Sequence, residues 1–353
     1  MNELIVVKPL CREKKKAKRL TEIVEYSTLE FKYEVIGTVE EFEAADLRNK
    51  RILFAISLGE SGINLELYSM LKKIRLRKDI FEGSVAVIIV DGDSELYTKS
   101  IARDLVYSAN SSGCTFIGKP LVEGTRSLEN FTIIAKNMGT DNYSAYINSG
   151  KKLVERLMNF EFKKKDSPNI LALHSSNSKT SNTLILWSKV KEHLTNCEIN
   201  EVSLQNGEIF DCIGCPYSTC LHYGEKGKCV YGGVIVDQVY PGILNCDALV
   251  MICPNYNDAL GANLSAFVNR LTALFRNNDF SKKKLFSIIV SGYSGGDIVA
   301  QQLISGMNMN KAFILPSNFT LIETANNPKS ILDIKDIDEQ AKRFAENIMK
   351  GFY

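Results

Sequence analysis

Ile170-Leu-Ala-Leu-His174-Ser-Ser-Asn-Ser-Lys-Thr-Ser-Asn-Thr183 decides the fold. An apolar run of strand length passes into a loop built almost wholly of Ser, Thr, Asn and Lys. From Thr183 to Leu194 an apolar stripe then recurs at helical spacing. The same step repeats downstream. Glu198 to Leu204 reads as a strand, Val234 to Leu244 as a helix, and Ala248 to Cys253 as a buried strand. Leu260 to Phe275 is an amphipathic helix, Leu285 to Val290 a strand, and Gly295 to Asn308 a helix. Ala312 to Leu315 reads as the last strand and Ile337 to Met349 as a closing helix. Strands alternating with helices of this length predict a doubly wound parallel sheet. Such sheets hold ligands at the carboxyl ends of their strands.

Upstream, Phe160 to Asn169 (FEFKKKDSPN) is polar, basic and carries Pro168, so residues 161–169 read as a linker between domains 1–160 and 170–353. The first domain repeats the second at an offset of about two hundred positions. Ile88-Ile-Val-Asp-Gly-Asp-Ser94 lines up with Ile288-Ile-Val-Ser-Gly-Tyr-Ser294, and Arg51 to Ser57 with Asp247 to Cys253. Thr115-Phe-Ile-Gly-Lys-Pro120 echoes Ala312-Phe-Ile-Leu-Pro316. The first copy has no Ser/Thr loop after Leu4 to Val7, no counterpart of Pro254-Asn-Tyr-Asn257 and no cysteine cluster. It reads as a domain without cofactor that packs against or covers the second.

The 353 residues are 45% hydrophobic and 24% charged, with net charge +2, so nothing draws the chain to nucleic acid or an anionic membrane. The basic runs Arg12 to Arg19 and Lys163 to Lys165 read as a solvated helix face and a linker. No signal segment or membrane span is apparent. Nine cysteines without an export signal suggest reduced thiols in a cytoplasm.

Three loops carry candidate chemistry. Ser175, Ser176, Ser178, Ser181, Asn182 and Thr183 surround a helix N-terminus, where hydroxyls and backbone N–H groups cradle one phosphate. One N-cap would need only one of them. Neither GxGxxG nor a Walker lysine is present. Pro254, Asn255, Tyr256 and Asn257 follow the third strand, the tyrosine to flank a flat ring and the amides to bond its polar edge. Ser291, Gly292, Tyr293 and Gly295 follow the fourth, where glycine admits a planar ligand to the backbone. One anion loop and two ring loops suit FMN. Cys212, Cys215, Cys220 and Cys229 lie in one Gly-rich segment, and four thiolates can hold a [4Fe–4S] cluster or a single zinc ion. The alternatives are that they stay unligated or that two of them form a reversible disulfide. His222, inside the loop, reads as a surface residue or a substitute ligand, and Cys246 and Cys253 as core.

With these motifs, residues 168 to 350 resemble the NAD(P)H-dependent FMN reductases and, within them, the iron–sulfur flavoproteins. Ser175-Ser-Asn-Ser178 with Ser181-Asn-Thr183 matches the family's GSPRxxSNT, and Cys253 to Asn257 its SPVYW-type loop. Ser265-Ala-Phe-Val-Asn-Arg270 matches K-x-F-x-D-R, and the cysteines fall where the family carries CxGCxxC…C. The chain departs in having Asn177 and Ser178 for Pro and Arg, Ser265 for Lys, and four and eight residues between its later cysteines. The resemblance implies two flavodoxin-like domains in tandem. It implies an FMN-dependent oxidoreductase taking hydride from NADH or NADPH and passing electrons to a quinone-like acceptor. Two alternatives stay open: an electron carrier fed by a ferredoxin-like protein donor, and a zinc-stabilised binding module without redox activity. It also implies a homo-oligomer, or a pseudo-dimer in which the first domain stands in for a second subunit. No catalytic acid or base can be assigned.

Overall fold

Near-continuous apolar runs such as Ile52-Leu-Phe-Ala-Ile56 and Val85 to Val90 are what a parallel sheet covered on both faces requires, and both are buried throughout. The computed structural model describes residues 4–11, 17–59, 61–176, 180–207 and 209–352. The chain divides into two units, Met1–Glu161 and Phe162–Tyr353.

The first unit contains β1 (Leu4–Val7), β2 (Tyr33–Ile36), β3 (Arg51–Leu58), β4 (Val85–Gly92) and β5 (Thr115–Gly124), in the order β2-β1-β3-β4-β5 and all parallel. The second contains β6 (Asn169–His174), β7 (Glu198–Ser203), β8 (Ala248–Tyr256), β9 (Ala259–Leu260), β10 (Lys284–Ser291) and β11 (Thr320–Thr324). Its parallel path runs β11-β10-β8-β6-β7, the same order read from the other edge, with β9 pairing antiparallel to the tip of β8. Each unit is thus a flavodoxin-like doubly wound α/β sheet, and the two stand in tandem. The aligned segments occupy equivalent places: Arg51–Ser57 and Ala248–Cys253 lie in the third strands, Ile88–Asp91 and Ile288–Ser291 in the fourth.

The fifth strands differ from the expectation. Ala312 to Leu315 is no strand; Ile314 makes one isolated bridge to Lys284, and the ladder resumes only at Thr320. Pro316, which has no N–H to donate, and Asn318 at φ 50° turn the chain between the two pairings. In the first unit β5 slips register across Ile117 to Pro120 in the same way, although there the strand continues. Pro254 to Tyr256, expected as a loop after the third strand, is part of the strand. It prolongs β8, and the reversal comes at Asn257 and Asp258, both with positive φ. Of the basic run Arg12 to Arg19, residues 12–16 lie outside the described residues, and Arg19 departs from the reading as a solvated face. Its guanidinium turns inward to Asp91, Nε to Oδ2 at 2.7 Å.

The second core forms around the helix Asn182–His193, whose Trp187 is fully buried while its Nε1 donates to Glu201 at 2.9 Å. Cys246 and Cys253 are buried, as expected. No helix among the described residues is long and apolar enough to cross a membrane.

Candidate functional site

At the carboxyl ends of β6, β8 and β10 lies a cavity of about 310 Å³. One wall is the N-terminus of the helix Asn182–His193. Ser181 caps it, its Oγ accepting from the Leu184 N–H at 3.3 Å, and lies 2.7 Å from the Thr183 hydroxyl. Ser176 is buried 3.5 Å from that same hydroxyl. Three hydroxyls and unpaired helical N–H groups in one place form an anion cradle. Asn182 donates from Nδ2 to the carbonyls of Ala325 and Asn327, at 3.0 and 2.8 Å, and brings the chain after β11 into the wall.

The opposite wall is the prolonged tip of β8. Asn255 lies there, its Nδ2 reaching Ser291 Oγ at 3.1 Å, the Ser294 carbonyl at 2.8 Å and Asp258 Oδ1 at 3.3 Å. Its own Oδ1 is buried and has no partner. A lost hydrogen bond on a buried amide costs about 1–3 kcal/mol, so an orphaned acceptor beside a cavity marks a place for a donor. Gly295 has φ 81°, and a Cβ there would fall 1.9 Å from Asp258 Oδ1. No side chain fits at the neck between the two loops.

Of the residues singled out, Ser176, Ser181, Asn182, Thr183, Pro254, Asn255, Tyr256 and Gly292 line this cavity. Ser291 and Gly295 stand behind its wall as supports, and Asn257 lies at the reversal beyond the tip of β8. Ser175 lies beside Gly261. Tyr293 is 81% exposed, its hydroxyl accepting from Asn326 Nδ2 at 2.9 Å. Ser178 lies outside the described residues. Thr180, Val290, Ala325 and Asn326 also line the cavity and were not anticipated. Ala325-Asn-Asn-Pro328 is a turn signal that only the true position of the fifth strand brings to the site.

The four cysteines line a second cavity, of about 170 Å³, on the far part of the helix Ala262–Phe275. The segment is no plain loop, for Tyr217–Gly224 is helical. It lies so close to Ala262–Phe275 that a Cβ on Gly224 would meet the Ala273 carbonyl at 2.4 Å. His222 turns to Lys226, 3.0 Å away, rather than to the sulfurs. Burial and the nearby sulfurs of Cys229, Cys220 and Cys212 push the Tyr240 hydroxyl up from its ordinary range. Among the described residues no three His, Cys, Asp or Glu side chains are gathered closely enough to hold a metal ion. The sulfurs share a cavity without meeting at a point. Gly261, at the start of the same helix, lies beside Ser175 and Tyr256 of the first cavity. At about 1.5 Å per residue, Gly261 and Arg270 are roughly 13 Å apart along the axis.

In the first unit the tips of β4 and β5 are closed from within, whereas a cavity of about 510 Å³ lined by Leu10, Cys11, Gly59, Ser61 and Asn64 remains at the ends of β1 and β3. Arg19 donates to the Gly92 and Thr125 carbonyls at 3.2 and 2.8 Å besides holding Asp91, and the Tyr146 hydroxyl donates to Asp91 at 2.8 Å.

No curated protein matches the chain. Among solved structures, NAD(P)H:quinone oxidoreductase from Methanothermobacter marburgensis is 14% identical, with TM-score 0.40 over 52% of this chain and 97% of its own. Azoreductase from Bacillus anthracis str. Sterne is 16% identical, with TM-score 0.36 over 52% of this chain and 99% of its own. The family model for NADPH-dependent FMN reductase matches residues 168–327, the span that contains both cavities. In its second unit, this chain is similar to the NADPH-dependent FMN reductase family.

Proposed function

We propose that the second unit binds FMN in the strand-tip cavity and that the protein is an NAD(P)H-dependent flavin oxidoreductase. The observation that carries this is the joining, in one cavity, of a hydroxyl-lined helix N-terminus with a buried amide oxygen that lacks a donor. Ser176, Ser181 and Thr183 suit a single phosphate. Asn255 Oδ1 suits a ring N–H, and Tyr256, 59% exposed, can lie along a flat ring. Bound flavin would supply hydride acceptance and onward electron transfer; the chain supplies binding, orientation and exclusion of water.

The four-cysteine cavity is best read as the place of an iron–sulfur cluster. As placed, the four sulfurs share a cavity without converging, so a zinc ion or a cluster would each have to draw them together. A cube spreads its four thiolates over four irons and suits sulfurs arranged around a cavity. Cys212, Cys215, Cys220 and Cys229 would hold such a cluster, which would supply one-electron chemistry in the same unit as the flavin site. The first unit, with Arg19, Asp91 and Tyr146 filling the tips of β4 and β5 and no Ser/Thr loop after β1, is read as carrying no cofactor.

Titration of the purified chain with FMN and with riboflavin tests the reading. Quenching of flavin fluorescence by FMN well below the concentration riboflavin needs, followed by reduction of the bound flavin by NADH or NADPH, supports it. Absence of FMN binding would sink it. Reduction by a low-potential protein donor alone would make the protein an electron carrier.

A further inference from the structure

We propose that Arg270 is the positioning residue of the cysteine cavity, a clasp that joins the two ends of the segment carrying all four thiols. This deepens the reading of that cavity as a cluster site and rests on it only where iron is measured.

Arg270 is 2% exposed, and no carboxylate forms an ion pair with it among the described residues. Its guanidinium is spent on backbone carbonyls. Nη1 donates to Phe210 at 3.2 Å, just before Cys212; Nη2 donates to Tyr231 and, at 2.9 Å, to Gly232, just after Cys229. Nε is buried without a partner. The Phe210 and Tyr231 rings stack across the same neck, centroids 5.0 Å apart. Next to the clasp, Asn269 donates to Asp211 at 3.0 Å, and the Tyr240 hydroxyl fixes the helix by donating to the Arg270 carbonyl at 2.6 Å.

One planar fork therefore spans a neck beyond which the chain travels through every candidate thiol ligand and back. Only a guanidinium presents several donors in fixed directions; a lysine ammonium is a point charge that can serve one end. The entropic cost of closing a loop of about twenty residues corresponds to a factor of roughly a hundred. The clasp meets that cost before any ligand arrives, leaving the thiols facing one cavity instead of scattered along an open loop.

The test uses the full chain loaded with FMN and kept anaerobic. Alkylation rates of Cys212, Cys215, Cys220 and Cys229 and hydrogen exchange over 209–232 are compared in wild type, Arg270→Gln, Arg270→Lys and Arg276→Gln. Arg276 lines the same cavity but lies over the Tyr217 ring, so its variant removes charge and leaves the neck intact. In Arg270→Gln the four alkylation rates are expected to rise roughly tenfold or more, with faster exchange confined to the segment. FMN affinity should stay within about twofold, because the clasp touches no residue of the other cavity. Arg270→Lys should fall between, and Arg276→Gln should match wild type. Unchanged thiol reactivity in Arg270→Gln overturns the proposal, and so does faster exchange spread evenly through the second unit. Should Arg270→Gln not fold, Arg270→Lys decides: wild-type rates there overturn it. Iron uptake separates the two readings. If wild type takes up no iron, the cluster reading falls while the alkylation comparison still judges the clasp. If both proteins hold iron with the same lifetime and the same visible spectrum, the clasp falls alone.

Discussion

Asn255 donates from Nδ2 to the Ser294 carbonyl at 2.8 Å, and this bond ties the tip of β8 to the loop that follows β10. One side chain thereby positions two cavity walls, while its own buried oxygen has no donor. Asn255→Ala removes both functions. FMN affinity is expected to fall about tenfold to a hundredfold, the equivalent of one or two buried hydrogen bonds. Fluorescence titration measures it, and an unaltered dissociation constant would place the flavin elsewhere.

Ser181 serves both the helix and the proposed phosphate. Ser181→Ala should cost about 1 kcal/mol of stability through the lost cap. It should also weaken FMN by several-fold while leaving riboflavin binding nearly unchanged, since riboflavin has no phosphate to lose. Equal loss for both ligands would mean that the hydroxyl supports the fold alone.

Lys284 is 2% exposed, its ammonium 3.9 Å from the centre of the Phe352 ring. Burial, opposed by Asp247 and assisted by Lys163, lowers its pKa from 10.5 to about 8. Between these values the unfolded chain binds more protons than the folded one, so stability rises with pH across that window, and the full penalty applies below about 8. Lys284→Met should remove this rise and stabilise the protein at neutral pH by roughly 2–3 kcal/mol. Denaturant titrations at neutral pH and in the alkaline window measure it; a variant less stable than wild type at neutral pH would contradict the prediction.

Asp91 and Arg19 meet within the first unit, and Asp91 also accepts from Tyr146. Asp91→Ala leaves the half-buried guanidinium without its carboxylate and should destabilise that unit by about 2–4 kcal/mol. FMN binding by the second unit should not change. A fall in FMN affinity matching the loss of stability would show that the two units act as one.

The fifth strands mark the limit of what local pattern reveals. Ala312-Phe-Ile-Leu315 has strand composition, and Thr320 to Thr324 is half-exposed and less apolar, yet the ladder belongs to the second. Edge pairing depends on where the chain can lie beside β10, and Pro316 with Asn318 decides that. The displacement matters for the site, since it delivers Ala325 and Asn326 to the cavity. Asn255 and Asn182 were recognisable as polar residues at strand and helix ends. Their task of tying neighbouring loops together was not.

The sequence alone determined the alternation of strands and helices, the doubling of that pattern, and the gathering of hydroxyls, amides and thiols into separate loops. These depend on periodicity and on chemistry carried by near neighbours. Only the tertiary structure decided that Arg19 fills the tips of β4 and β5 and that Arg270 closes the neck of the thiol segment. Arg19 reaches residues 72 to 107 positions away and Arg270 residues 38 to 60 positions away. Whether a charged side chain is solvated or buried depends on which distant carbonyls the fold brings within reach of it.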